Sequence, residues 1–400
     1  MIRQMPTIMA VLALFLGLKL LAVAQAAPGT GGKEGVAAGA IQAALARAGA
    51  NRGEIEMALR EAPAAQREGV RFLVANMPDE DLKSLTSRYL LENVAIAYDA
   101  FQKAPWKSRV SREMFLNDIL PYSCLNEKRD GSRAFLREKA APLVADCTSP
   151  AEAAQRLNQK LFPLLNARYS TERKRPDQSP LETVESGKAT CSGLSILLVD
   201  ACRAVGVPAR VAGTPMWTNM RGNHTWVEVW DGDWHFAGAA EPDPSGLDHG
   251  WFVGDAAKAK RDVPEHAIYA SSFKKTGLPF PLVWAPGIRW VNAVNVTDRY
   301  LPAKPGADSG KGLLLIKVID SKGRRVAAAV TVKQPTGGGP LEGISKDEAV
   351  DLNDILGFRV PRMCPAPTYV ITAVYKGKTV RTETKIGGVA EQLVVLKLPR

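Results

Sequence analysis

The sequence predicts an α+β protein built in three successive regions. Apolar residues recur at helical spacing across 53–174, a helix followed by short strands occupies 175–298, and strand-like alternation runs from 313 to 400. A length of 400 residues fits two or three domains. Apolar residues make up 46% of the chain and charged residues 23%, enough apolar side chain to exclude a wholly disordered protein. Lys and Arg outnumber Asp and Glu by 52 to 41, a net charge of +11. The basic residues are scattered, the densest cluster being Arg173-Lys174-Arg175, and neither zinc-finger spacing nor a basic helix occurs. Nucleic-acid binding is therefore not expected, and the excess charge reads as a solubilising surface.

Residues 1–26 read as a secretory signal peptide. Arg3 is its positive end, Thr7–Leu18 its apolar run and Ala24-Gln25-Ala26 a small-residue cleavage site. Lys19 cuts the apolar run too short for a membrane span, and no later segment reaches the ~18 apolar residues that a span needs. Export to a periplasmic or extracellular space is expected, with no membrane span in the mature chain. Residues 27–52, rich in Gly and Ala, are expected to be a flexible lead-in.

Within 53–174, Leu82, Leu85 and Tyr89 form one helical stripe, and Val94, Ala97, Tyr98 and Phe101 carry it onward. Pro78-Asp79 marks a helix start. This region reads as packing and offers no chemistry. Cys124 and Cys147 flank a helical segment, and a disulfide between them is one option. The cysteines number five, with Cys191, Cys202 and Cys364 the others, so at least one thiol stays unpaired within the chain.

The region 175–298 gathers all four histidines, His224, His235, His249 and His266, among frequent Trp, Gly and Pro. Residues 299–312 are a Pro/Gly linker. From 313 onward Leu313–Ile319, Val326–Val332, Tyr369–Tyr375, Lys378–Thr384 and Leu393–Leu398 alternate as strands, with turns at Asp320–Gly323 and Lys376-Gly377. This tail predicts an antiparallel β-sandwich, an independent unit. Its strand pattern resembles the transthyretin-like domains appended to secreted enzymes.

Chemistry concentrates at Cys191. Leu194, Leu198, Ala201 and Val205 line one face of a helix over 192–205, with Gly206 suited to its end and Pro208 beyond it. Cys191 thus stands at a helix N-terminus, where unpaired N–H groups and the helix dipole favour a thiolate. Cys202 lies eleven residues on, ~16 Å along the axis, too far for a disulfide with Cys191 and suited to the core. His224–Trp230 and Trp234–Ala240 read as a hairpin turning at Asp231-Gly232-Asp233. A loop of Asp231-Gly232 sets His224 opposite Ala239, and a loop of Gly232-Asp233 sets it opposite Glu241. Both registers put Glu241 on the His224 face. A Cys at a helix start, a His on a strand and an acid on the next strand make a Cys-His-acid triad. Trp217, Trp226, Trp230, Trp234 and Trp251 are candidates for either cleft wall or core. No spacing of His and acid fits a metal motif, and no metal is expected.

These residues resemble the transglutaminase-like superfamily of papain-like thiol enzymes. The resemblance rests on Gly187–Leu194, on Val205-Gly206-Val207-Pro208-Ala209-Arg210-Val211, and on His224–Trp230 followed by Asp231-Gly232 and Trp234. It implies a Cys-bearing helix packed on a His-bearing sheet, with Cys191 as nucleophile and His224 as base. The family usually carries Asp just after the second strand, where this chain has Gly238. The nearest acids follow in Glu241-Pro242-Asp243-Pro244. Facing parity favours Glu241, while the Asp-Pro pair favours Asp243.

The expected function is an exported thiol enzyme acting on amide or peptide carbonyls of a protein or peptide substrate through a thioester. Water as acceptor makes it a protease or amidase, and an amine makes it an acyltransferase. The Cys191 backbone N–H is one oxyanion donor, and Gln178 is a candidate for the second. No cofactor is expected, and no calcium-loop pattern of acids occurs. The oligomeric state is open. The alternative is a catalytically inert fold of the same family serving as a cell-envelope protein-binding module.

Overall fold

The computed structural model describes residues 31–302, 311–334, 339–361, 365–386 and 391–400. The expected signal peptide (residues 1–26) and Cys364 lie outside the described residues. Eight helices come first: α1 (Gly31–Arg47), α2 (Arg52–Glu61), α3 (Arg67–Asn76), α4 (Asp79–Ser84), α5 (Ser87–Lys103), α6 (Arg112–Asp118), α7 (Arg133–Ala140) and α8 (Pro150–Leu164). The expected flexible lead-in is instead largely α1, with Ile41, Ala44 and Leu45 buried against the helices that follow. Its alternating small residues hid an apolar face that needs only a few larger side chains. The stripe read through 82–101 is broken at Leu85-Thr86, where Thr86 caps α5 by accepting from Tyr89 N at 3.2 Å. No described helix is long and apolar enough to cross a membrane.

The central region follows as β1 (Arg168–Tyr169), α9 (Pro180–Ser186), β2 (Lys188–Ala189), α10 (Cys191–Ala204), β3 (Ala209–Thr214), β4 (His224–Trp230), β5 (Trp234–Ala237), α11 (Val253–Ala256), β6 (Tyr269–Ser272) and β7 (Asn292–Asn295). Five strands form an antiparallel sheet in the order β5-β4-β3-β6-β7. Every residue of α10 from Ser192 to Ala204 is buried, as expected of a helix covered on all sides. Arg203 is tolerated there because backbone carbonyls of Asp118, Ser123 and Ala209 accept its guanidinium. The helical region, α10 and one face of the sheet share a single hydrophobic core. Residues 53–174 therefore pack as one unit with the central region. All four described cysteines are free thiols, so Cys124 and Cys147 form no disulfide. Cys124 Sγ instead lies 3.3 Å from Asp200 Oδ1.

Tyr300 also belongs to this unit and not to the linker. Its hydroxyl donates to Glu228 Oε1 at 2.8 Å and accepts from Trp226 Nε1 at 2.8 Å. Glu228 in turn accepts from Arg210 Nε at 2.7 Å, with both side chains almost fully buried. The Arg210 guanidinium stacks 3.7 Å from the Trp234 ring centroid. Glu228→Ala leaves Arg210 charged and unpaired in the sheet. It is expected to cost about 3 to 5 kcal/mol, measured by urea unfolding.

The C-terminal unit packs two sheets around its own core, which includes Leu314, Ile316, Tyr369 and Ile371. One sheet has the order β10-β9-β12-β13 and the other β11-β8-β14. The strands are β8 (Lys311–Ile319), β9 (Ala329–Lys333), β10 (Leu341–Ile344), β11 (Leu356–Pro361), β12 (Thr368–Tyr375), β13 (Lys378–Lys385) and β14 (Glu391–Lys397). Pairing is antiparallel as expected, except that β14 runs parallel to β8.

Candidate active site

Thr190 starts α10. Its hydroxyl accepts from Gly193 N at 3.0 Å and caps the helix, which leaves Cys191 as the first helical residue. A Cβ on Gly193 would stand 3.0 Å from Ala189 Cβ, tighter than ordinary contact, so glycine suits the first turn of α10 beside Cys191. Cys191 is the partly exposed residue of α10 and opens into a cavity of about 280 Å³. Tyr169, Asn223, Trp284, Asp351 and Leu352 also line it.

His224 begins β4 and is buried among aromatic rings. Its ring centroid lies 4.6 Å from that of Trp251, 5.0 Å from Phe252 and 5.7 Å from Trp226. The Cys191 Sγ, a ring nitrogen of His224 and a carboxylate oxygen of Asp351 all lie within 4.8 Å of one another. His224 Nδ1 is 3.5 Å from Asp351 Oδ2. At that distance neither ring nitrogen makes an aligned hydrogen bond, and the attraction is mainly one of charge. Burial opposes the imidazolium, but the Asp351 carboxylate and the Cys191 contact outweigh it and push the His224 pKa up to about 10. For Asp351, burial acts upward, yet His224 and the Asn353 backbone N–H hold its carboxyl below the usual range.

Asp351 is the residue that sequence reasoning missed. It lies on the loop between β10 and β11, more than a hundred residues after His224, in the region expected to be an independent unit. The sandwich therefore lines the Cys191 cavity and is not independent of it.

Glu241 reaches the neighbourhood by an unexpected route. The hairpin loop has three residues, Asp231-Gly232-Asp233, and pairs Val227 with Ala237. That differs by one from both expected registers and sets His224 in line with Ala240, so the parity argument fails. The loop closes on itself through Asp231 N donating to Asp233 O at 2.9 Å with Gly232 at a φ of 86°, and Asp231 also accepts from Ala151 N at 3.2 Å and pairs with Arg109 at 3.1 Å. The strand stops at Ala237, and Glu241 N donates to Gly238 O at 3.2 Å in a turn. The turn folds the Glu241 side chain back. A Cβ on Gly238 would stand 2.5 Å from Glu241 Oε2, so this carboxylate fills the space of a side chain at 238. Trp251 Nε1 donates to it at 2.9 Å. Burial pushes the Glu241 pKa up to about 7, against the pull of His224 and the Trp251 bond.

The remaining candidates sit elsewhere. Asp243 Oδ1 accepts from Ser245 N at 2.8 Å within its own turn. The Gln178 amide donates to Ser186 Oγ at 3.0 Å and Glu182 O at 3.3 Å, so it is engaged in structure and supplies no oxyanion donor. His235 pairs with Asp248 at 2.6 Å on the surface, and His266 Nδ1 bonds Met216 O. Trp217 and Trp226 are core residues behind His224, while the cavity wall uses Trp284. Among the described residues, two groups of side chains have donor spacing suited to a metal ion. One is Cys191, His224 and Asp351, whose occupation would consume the thiol. The other is Cys124, Glu127 and Asp200, where Glu127 already accepts from the backbone N–H groups of Cys124 and Leu125, and burial and Glu127 push the Asp200 pKa up to about 7 against the pull of Arg203 and Arg133.

Residues 137–256 match the Transglutaminase-like superfamily, a span that begins in α7 and includes all of α8. Among solved structures, a candidate cysteine protease from Cytophaga hutchinsonii is 20% identical over 41% of this chain and 52% of its own, with a TM-score of 0.25. A candidate protease from Parabacteroides distasonis is 10% identical, covering 62% of this chain and 37% of its own, with a TM-score of 0.24. Red sea bream transglutaminase is 8% identical, covering 74% and 58%, with a TM-score of 0.26. The chain thus spans between 37% and 58% of these proteins' own lengths. No curated protein matches the chain. Helix α10 with Cys191 and the strands β3, β4 and β5, with His224 at the start of β4, lie within the matched span, so the segment that carries both residues is the one that resembles the transglutaminase-like superfamily.

Proposed function

We propose that the protein is an exported thiol enzyme that opens amide or peptide carbonyls of a protein or peptide substrate. One observation carries this reading: the Cys191 thiol heads a buried helix, lines a cavity and lies within 4.8 Å of a His224 nitrogen. His224 takes the thiol proton, and Sγ attacks the carbonyl carbon. The Cys191 N–H, in the first turn of α10, helps hold the developing oxyanion. The C–N bond then breaks, the departing amine takes the proton from His224, and a thioester remains. Water or a second amine attacks the thioester and returns the proton to sulfur. Glu241 is the acid we assign to orient the imidazole, and no step uses a metal.

Alkylation of the intact chain tests this. Iodoacetamide near pH 7 is expected to modify Cys191 quickly and spare Cys202, whose thiol burial pushes up to about 12. A Cys191 that titrates like a free thiol near pH 8.5 sinks the enzyme reading and favours an inert binding module.

A further inference from the structure

We infer that the C-terminal sandwich completes the active site, with Asp351 as a positioning residue that holds His224 beside Cys191. The inference rests on the thiol-enzyme reading and adds to it a residue from a second structural unit.

The loop is built to deliver this carboxylate. Arg325, itself buried in the sandwich, donates to Val350 O at 2.7 Å and to Asp351 O at 2.9 Å. Asn353 N donates to Asp351 Oδ1 at 2.8 Å, which aims Oδ2 at His224. Three further bonds tie the loop to the catalytic unit. Tyr169 Oη accepts from Leu352 N at 3.1 Å, Arg221 donates to Asn353 O at 2.9 Å, and Asn353 Nδ2 donates to Asn223 O at 3.2 Å. Asn223 immediately precedes His224. A second latch joins the units nearby: Arg221 pairs with Asp255 of the core and lies 3.4 Å from Glu391 of β14.

His224 and Asp351 are 2% and 3% exposed, so each needs the other's charge to stay ionised. The titratable groups facing His224 are Cys191 from α10, Asp351 from this loop and Glu241 from the turn after β5, and the remaining neighbours are Trp217, Trp226, Trp251 and Phe252. Among the described residues, Asp351 is the acid whose carboxylate oxygen, one His224 ring nitrogen and the thiol all lie within 4.8 Å of one another. It favours the protonated imidazole that remains once the thiol has given up its proton.

The test uses the full chain, Asp351→Asn, and two readouts: the NMR titration of the His224 imidazole and the pH profile of Cys191 alkylation. The His224 pKa is expected to fall by about 1 to 3 units, and alkylation at pH 7 to slow by about tenfold or more. Asn353→Ala removes the bond to Asn223 while keeping the carboxylate, and should shift both readouts the same way by less. It also serves if Asp351→Asn fails to fold. An unchanged His224 titration overturns the inference. Faster alkylation in Asp351→Asn also overturns it, because the loop would then be obstructing the thiol. Wild-type Cys191 that is no more reactive than an ordinary thiol instead sinks the enzyme reading on which the inference stands.

Discussion

Cys191→Ala is expected to abolish turnover, and His224→Gln to lower it nearly as far, each by a factor on the order of 10⁴ or more. Both variants should fold. Cys191 is the partly exposed first residue of α10, outside the run Ser192–Ala204 that fills the core, so its loss leaves the packing intact. His224 is held by the stacked Trp226 ring, the tilted Trp251 ring and charge, without an aligned hydrogen bond, and a glutamine keeps much of its volume. The two losses should not add, because the proton transfer and the attack on the carbonyl are one event shared by the pair. The double variant should therefore be no worse than Cys191→Ala alone, as measured on any amide substrate that acylates the wild-type chain. A His224→Gln protein that retains most of its turnover refutes the general-base role.

The placing of Cys191 at a helix start and of His224 on a strand was legible because local rules fix both. A capping Thr190, an apolar stripe from Leu194 to Val205 and a Gly206 with a φ of 78° define α10 and hence the placing of Cys191. Alternation in His224–Trp230 defines β4. What failed was set by distant contacts. The Asp231-Gly232-Asp233 signal fits a two- or a three-residue loop, and the three-residue loop found here has Asp231 in contact with the distant Ala151 and Arg109. Strands β10 and β11 went unread because Leu341–Ile344 is only four residues long and Leu356–Pro361 carries Gly, Arg and Pro. Asp351 has no local signal, since a loop acid in a polar stretch resembles any solvated turn. Its meaning appears only when Asn353, Arg221 and Tyr169 bring the two units together. Arg325, buried and bonded to two loop carbonyls, was the feature that could have flagged this loop as held in place.

Glu241→Gln is the second large effect expected, a loss of about 10² to 10⁴ in rate with the fold retained. The basis differs from strand parity. Gly238 lacks the side chain that the family pattern places there, and the turn through Ala239-Ala240 swings the Glu241 carboxylate into that volume, where Trp251 Nε1 fixes it. Asp243→Asn should be mild, because Asp243 serves its own turn through Ser245 N. The pH dependence provides an independent check. With its pKa pushed up to about 7, Glu241 is a carboxylate only above that pH, so wild-type turnover should climb through pH 7. That limb should vanish in Glu241→Gln. Stability should move the opposite way. The folded chain holds on Glu241 a proton that the unfolded chain releases near the ordinary glutamate value of about 4.3. Its stabilising share is thus full below that pH and is lost as pH rises through about 7. Chemical denaturation at pH 4.5 and 7.5 should show this difference shrinking in Glu241→Gln. If Asp243→Asn proves the more damaging variant, the orienting role passes to Asp243. If both are mild and the rise through pH 7 persists, Asp351 is the sole acid of the site, and the carboxylate that the family places on the catalytic sheet has moved here to the appended sandwich.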